Sequence, residues 1–96
     1  MFMPTGSTKQ PDAFTDALMG VIRSRISFQK ISVAELARMT DIHRVTLSRV
    51  LNGQREAEMN QIRRISIALH IPMAQLIAAA DDIVAGKDPF LPGLEK

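Results

Sequence analysis

The stretch that decides the fold is residues 32–53, SVAELARMTDIHRVTLSRVLNG. Ser32 and Glu35 stand in an S-x-x-E capping box, in which each side chain can accept a hydrogen bond from a free backbone N–H of the first helical turn. The Asn-Gly pair at the other end is typical of a helix stop. Between the two signals, residues 40–42 interrupt the apolar periodicity. The stretch therefore predicts two short helices joined by a tight turn.

The first helix of this pair is expected to face inward with Leu36 and Ala37, and Met39 is a further candidate. A small residue such as Ala37 lets the two helices approach closely. Asp41 lies in the turn, where we expect a left-handed backbone, because Asp tolerates that conformation better than most residues.

The second helix is predicted at about residues 43–51, with its inward side formed by Leu47, Val50 and Leu51. Other residues at steps of one, three or four share the opposite face. They are Arg44, Val45, Ser48, Arg49 and Asn52. Such a face can hydrogen-bond nucleic-acid base edges and phosphates together.

Three further helices are predicted around this pair, so the fold is expected to be an all-α bundle of about five helices. The first covers about residues 12–28, and its apolar stripe consists of Phe14, Leu18, Val21, Ile22 and Ile26. The fourth covers about 58–70, and its stripe consists of Met59, Ile62, Ile65 and Leu69. The fifth covers about 73–85, with Pro72 expected in its first turn and Gly86 ending it.

The domain is expected to comprise residues 12–86, between a flexible arm (1–11) and a tail (87–96). At 96 residues the chain holds one domain at most. It has no Cys and two distant His, so we expect no metal site and no cofactor. No nucleophile–base pair or phosphate loop is present, which argues against an enzyme. The apolar runs are too short for a bilayer, so no membrane association and a cytoplasmic location are expected.

Positive charge is concentrated in the middle of the chain. Residues 20–64 contain nine Lys/Arg and four Asp/Glu, a local balance of +5, although the whole chain is only +2. Such a patch is the electrostatic footprint expected for a phosphate-bearing partner. A basic face that only meets solvent would show the same count, so charge alone leaves both interpretations open.

Residues 31–71 resemble the phage-repressor and Cro-type (XRE-like) helix-turn-helix family. The matching positions are Ile31-Ser32, Leu36-Ala37, Thr40-Asp41-Ile42, Thr46-Leu47-Ser48, Asn52-Gly53 and Ala68-Leu69-His70-Ile71. Three positions depart from the family pattern. Asp41 and His70 replace the usual Gly, and His43 replaces the usual Ser that opens the second helix.

The resemblance implies a lambda-repressor-like domain whose helix 43–51 enters the major groove of double-stranded DNA. It makes Arg44, Val45 and Arg49 candidates for base contact, with Ser48 at a base or a phosphate. The candidates for DNA-backbone contact are Ser32, Val33, Thr46, Asn52, Gln54 and Arg55. His43 would face DNA at the entrance to the groove. Ser32 is equally explained as a cap alone, and Thr46 as a residue bonded within its own helix.

Three functions are compatible with these residues. The leading hypothesis is a small phage or prophage-type repressor in the bacterial cytoplasm, at the nucleoid. The alternative is an antitoxin that binds DNA through the same motif and a toxin protein through a terminal segment. The third is an interaction module that has lost DNA binding. A homodimer through helix 73–85, with Leu76, Ile77, Ile83 and Val84 as the seam, is possible, as is a purely structural role for that helix.

Overall fold

A computed structural model describes residues 13–88, and within them all regular structure is helical. The helices are α1 (Ala13–Gln29), α2 (Val33–Thr40), α3 (Arg44–Leu51), α4 (Met59–Leu69) and α5 (Met73–Val84). The all-α prediction is confirmed. The predicted arm and the tail from residue 89 onward lie outside the described residues. No single one of these helices is long and apolar enough to cross a membrane, although α4 and α5 pass that test as a pair bent by 106°.

One hydrophobic core joins the five helices, because each helix has an apolar side that can be buried only against the others. The large side chains with the least exposure are Met19, Ile22, Leu36, Leu47, Val50, Ile65, Leu69 and Leu76. The most extensive packing joins α1 and α5, while α3 packs against α1 and α2. Helix α3 is therefore held by α1, whereas α2 is held by α3 and α4.

The helix-turn-helix geometry agrees with its sequence signals except that only one half of the predicted capping box forms, since the Glu35 side chain does not accept from the Ser32 N–H. The Glu35 backbone N–H donates to Ser32 Oγ at 3.0 Å, so Ser32 caps the start of α2. Asp41 ends α2 in the left-handed conformation, with φ at 59°. The Ile42 N–H then donates to the Ala37 carbonyl at 3.2 Å, and the Ile42 side chain is buried. The turn is thus fixed by one backbone bond and one apolar anchor.

Side chains from other helices hydrogen-bond the last carbonyl of α2, α3 and α4. Arg64 Nη1 donates to the Thr40 carbonyl of α2 at 3.4 Å. Gln29 Nε2 donates to the Leu69 carbonyl of α4 at 2.8 Å, and Arg23 Nη1 donates to the Leu51 carbonyl of α3. A helix leaves its last carbonyls without partners inside the helix. These three bonds, called here the carbonyl bonds, satisfy them and tie together helices that are far apart in sequence.

Two apolar predictions are wrong, and Pro72 lies one residue before the helical turn in which it was expected. Met39 is 49% exposed and Met59 is 65% exposed. In α2 the neighbouring Thr40 is buried instead, because its hydroxyl donates to the Leu36 carbonyl at 2.8 Å and so enters the core satisfied. Met59 lies in the first turn of α4, beside the loop that precedes the helix. Pro72 is the N-cap of α5 rather than a residue of its first turn.

Within residues 13–88, three residues other than glycine have a left-handed backbone, and each directly follows a helix. They are Lys30, Asp41 and His70, with φ between 58° and 61°. This conformation brings the Cβ close to the carbonyl oxygen, at a cost of about 1–2 kcal/mol for most residues. Asp pays less because its short side chain can bond locally. Lys30 and His70 therefore carry most of this conformational strain.

Replacing Lys30 by Gly should stabilise the protein by about 1 kcal/mol, because Gly adopts the left-handed conformation without a Cβ clash. Urea denaturation followed by circular dichroism measures the free energy of unfolding. Lys30→Ala is the matched control, since it removes the same exposed side chain but keeps the Cβ, and it should change the value by less than about 0.5 kcal/mol. Equal effects of Gly and Ala would contradict the strain argument.

Candidate nucleic-acid interface

The outward face of α3 is formed by the residues that the sequence predicted. Arg44, Val45, Arg49 and Asn52 are exposed, and Ser48 is half-buried. Val45 is a β-branched apolar side chain with 49% exposure, in the middle of a polar surface. The opposite side of the helix is buried through Leu47, Val50 and Leu51. The helix therefore presents two arginines around one apolar contact point.

His43 is the N-cap of α3, so the helix begins at Arg44 rather than at residue 43. The Val45 N–H donates to His43 Nδ1 at 3.3 Å. The imidazole thus accepts the bond that a Ser hydroxyl would accept in the family pattern. Nδ1 can do so only when it carries no proton. The ring is exposed beside Arg44, at the start of the helix.

A cleft of about 160 Å³ lies where α1, the start of α2 and the end of α3 meet. Val33 of α2 lines it together with Ser48 of α3 and Asn52, the C-cap of α3. Three predicted site residues from two helices are therefore brought together. The remaining lining residues are Arg23, Ile26, Ser27 and Leu51.

The predicted backbone-contact residues differ in their exposure. Ser32, Gln54 and Arg55 are exposed, whereas Thr46 is half-buried. Gln54 and Arg55 follow Gly53, whose φ of 77° turns the chain away from α3. The Gln54 N–H donates to the Arg49 carbonyl at 2.8 Å, which closes the end of the helix. The Ser32 hydroxyl is occupied as a cap.

The exposed arginines of this surface form no ion pairs with the described part of the chain. Among residues 13–88, Arg44, Arg49 and Arg55 have no ion pair and no side-chain hydrogen bond. A single surface ion pair contributes little to stability, so its absence does not weaken the fold. The result is positive charge that is not neutralised within the described part of the protein, as an anionic partner would require.

Arg23 was not predicted as a site residue, because it lies in the first predicted helix and outside the helix-turn-helix stretch 32–53. In the structure its guanidinium donates to the Leu51 carbonyl and borders the cleft. The only sequence signal was a basic residue next to the α1 apolar stripe. That signal does not distinguish a site residue from a solvated one.

The helix-turn-helix family model matches residues 29–76, from the end of α1 into α5. This match covers half of the chain and contains α2, α3 and α4. The chain belongs to the XRE-type helix-turn-helix family of DNA-binding transcription regulators, and its partner is double-stranded DNA. No curated protein and no solved structure gives a significant match.

Removing the N-cap of α3 should destabilise the first turn of that helix. His43→Ala should lower the free energy of unfolding by about 0.5–1 kcal/mol, because the Val45 N–H loses its acceptor. His43→Ser is the matched control, since its hydroxyl is a preferred N-cap acceptor, and it should equal or exceed the wild type. Urea denaturation measures both variants. A Ser variant as unstable as the Ala variant would show that the imidazole acts in another way.

Proposed function

We propose that this protein is a sequence-specific repressor of the phage type, which acts where the DNA is, in the bacterial cytoplasm, by inserting α3 into the major groove. The observation that carries the proposal is the outward face of α3, where Arg44 and Arg49 flank the exposed Val45 and have no acidic partner among residues 13–88. The major groove admits an α-helix and carries a distinct donor and acceptor pattern for each base pair. Such a protein represses transcription where its site overlaps a promoter, because it then excludes the polymerase.

Base reading is assigned to Arg44, Val45 and Arg49. An arginine can donate two parallel hydrogen bonds to guanine O6 and N7, and a valine can pack against the methyl group of thymine. Two arginines with free guanidinium groups lose no internal bond when they turn to the bases. Ser48 lies at the edge of this face and is assigned to a base or a phosphate.

Backbone contact is assigned to the residues around this face. Ser32 and Val33 lie at the start of α2, where free N–H groups and the helix dipole favour a phosphate. Asn52, Gln54 and Arg55 follow the end of α3, and all three are exposed. Two further positions complete the set proposed for DNA contact, namely His43 and Thr46. Contacts of this kind fix the position of α3 without reading sequence.

Loss of a base-reading arginine should change specificity as well as affinity. Arg49→Ala or Arg44→Ala should cost about 1–3 kcal/mol at the preferred site, because a bidentate contact to guanine is lost. Selection of sites from random duplex DNA, followed by fluorescence anisotropy, supplies the site and the affinities. Arg55→Ala is the control and should weaken all duplexes alike. An Arg49→Ala variant that keeps the wild-type base preference would show that Arg49 does not read a base.

A homodimer through α5 is also proposed. Ile83 and Val84 are 41% and 48% exposed at the end of α5, beyond the part of that helix that packs in the core. Leu76, predicted for the same seam, is fully buried within the chain and cannot contribute. A second copy would cover the two exposed residues and place two recognition helices on half-sites about one DNA turn apart.

Ile83→Glu should convert the dimer to a monomer, because it places a carboxylate in an apolar contact. Sedimentation velocity reads the mass directly, with and without the selected duplex. Ile67→Glu is the matched control, since Ile67 is 61% exposed on α4 and outside the proposed seam, and it should leave the mass unchanged. A wild-type protein that stays monomeric both alone and on DNA would contradict the proposed dimer.

A further inference from the structure

Arg23 is the residue of α1 that reaches the recognition helix. Its Nη1 donates to the carbonyl of Leu51, the last residue of α3. Leu51 has no backbone donor for that carbonyl among the bonds that close the helix end. Arg23 thus satisfies a carbonyl that would otherwise lack a partner, and its positive charge lies at the negative end of the α3 dipole.

The same guanidinium borders the cleft between α1, α2 and α3. Ser27, Ser48 and Asn52 line this cleft with hydroxyl and amide groups, and the last two also belong to the outward side of α3. The cleft therefore opens beside the surface that is proposed to face DNA. A basic group at its edge is therefore accessible to a phosphate of DNA bound at that surface.

The described residues 13–88 leave most of the hydrogen-bonding capacity of Arg23 unused. A guanidinium has five N–H donors, and the bond to Leu51 uses one of them. Within residues 13–88 no carboxylate forms an ion pair with Arg23, and its side chain is exposed. Nη2 lies over Gly20, 3.8 Å from the point that a Cβ would occupy, so the group lies alongside α1 rather than extending into solvent.

We infer that Arg23 is a positioning residue of the DNA site with two simultaneous roles. One N–H holds the end of α3 through Leu51, and other N–H groups bind a phosphate of the DNA backbone at the cleft. The inference rests on the proposed function, since it requires α3 to face DNA. It extends the interface to α1. Most of this helix lies before residues 29–76, the range that the family model matches.

The dependence of affinity on salt tests the phosphate contact. Each phosphate neutralised by a protein contributes about 0.9 to the slope of log K against log salt concentration. The probe is a labelled mixed-sequence duplex of about 30 base pairs, titrated between about 50 and 200 mM KCl. Arg23→Met should lower the slope by about 1, whereas Arg23→Lys should retain it, because the ammonium keeps the charge.

Arg63→Met is the matched control, because Arg63 is an exposed arginine of α4 outside the cleft, and its slope should equal that of the wild type. An Arg23→Met variant that binds more weakly with an unchanged slope would overturn the inference and leave Arg23 a purely structural role. If the wild type itself showed no salt-dependent binding to the duplex, the proposed function would fail instead.

A measurement on the wild-type protein covers the case in which Arg23→Met does not fold. The side-chain Nε–Hε resonance of Arg23, observed by ¹⁵N-resolved NMR, should shift when the same duplex is added. The Arg63 resonance should not. An unshifted Arg23 signal under conditions where the Arg49 signal moves would overturn the phosphate contact.

Discussion

The whole structure depends on holding one helix that is too short to be stable alone. Helix α3 has eight residues, and isolated helices shorter than about 12–15 residues are marginal in water. Three constraints replace the missing length. His43 caps its start, Leu47 and its neighbours bury its inner side, and Arg23 together with the turn at Gly53 closes its end. Because these constraints stabilise the helix, the residues on its outer side need not contribute to stability and can serve binding instead.

Local features of this chain were predictable from sequence because their causes are local. The capping role of Ser32 and the left-handed Asp41 depend on three or four neighbouring residues, and both were found as expected. The outward face of α3 follows from helical periodicity in the same way. The family resemblance predicts the helix-turn-helix and the helix that follows it as one unit.

The errors have causes that apolar periodicity does not contain. Periodicity places Met59 on the apolar stripe of α4, but it gives no information on where the neighbouring helices end. Hydrophobicity favours Met39 over Thr40, but a hydroxyl that is bonded to its own helix can be buried at little cost. The Arg23 bond to Leu51 spans 28 residues, a distance over which sequence pattern carries no signal.

The carbonyl bonds have a consequence for how the protein loses its structure. They join α1 to α3, α4 to α2 and α1 to α4 across 28, 24 and 40 residues. Helix ends normally fray first, at almost no free-energy cost. Here the C-terminal end of each bonded helix is hydrogen-bonded to a distant helix. Fraying of that end therefore requires the hydrogen bond between the two helices to break. The outward face of α3 should therefore stay folded until the whole domain unfolds cooperatively. It should not pass through a partly frayed state of reduced DNA specificity as the temperature rises.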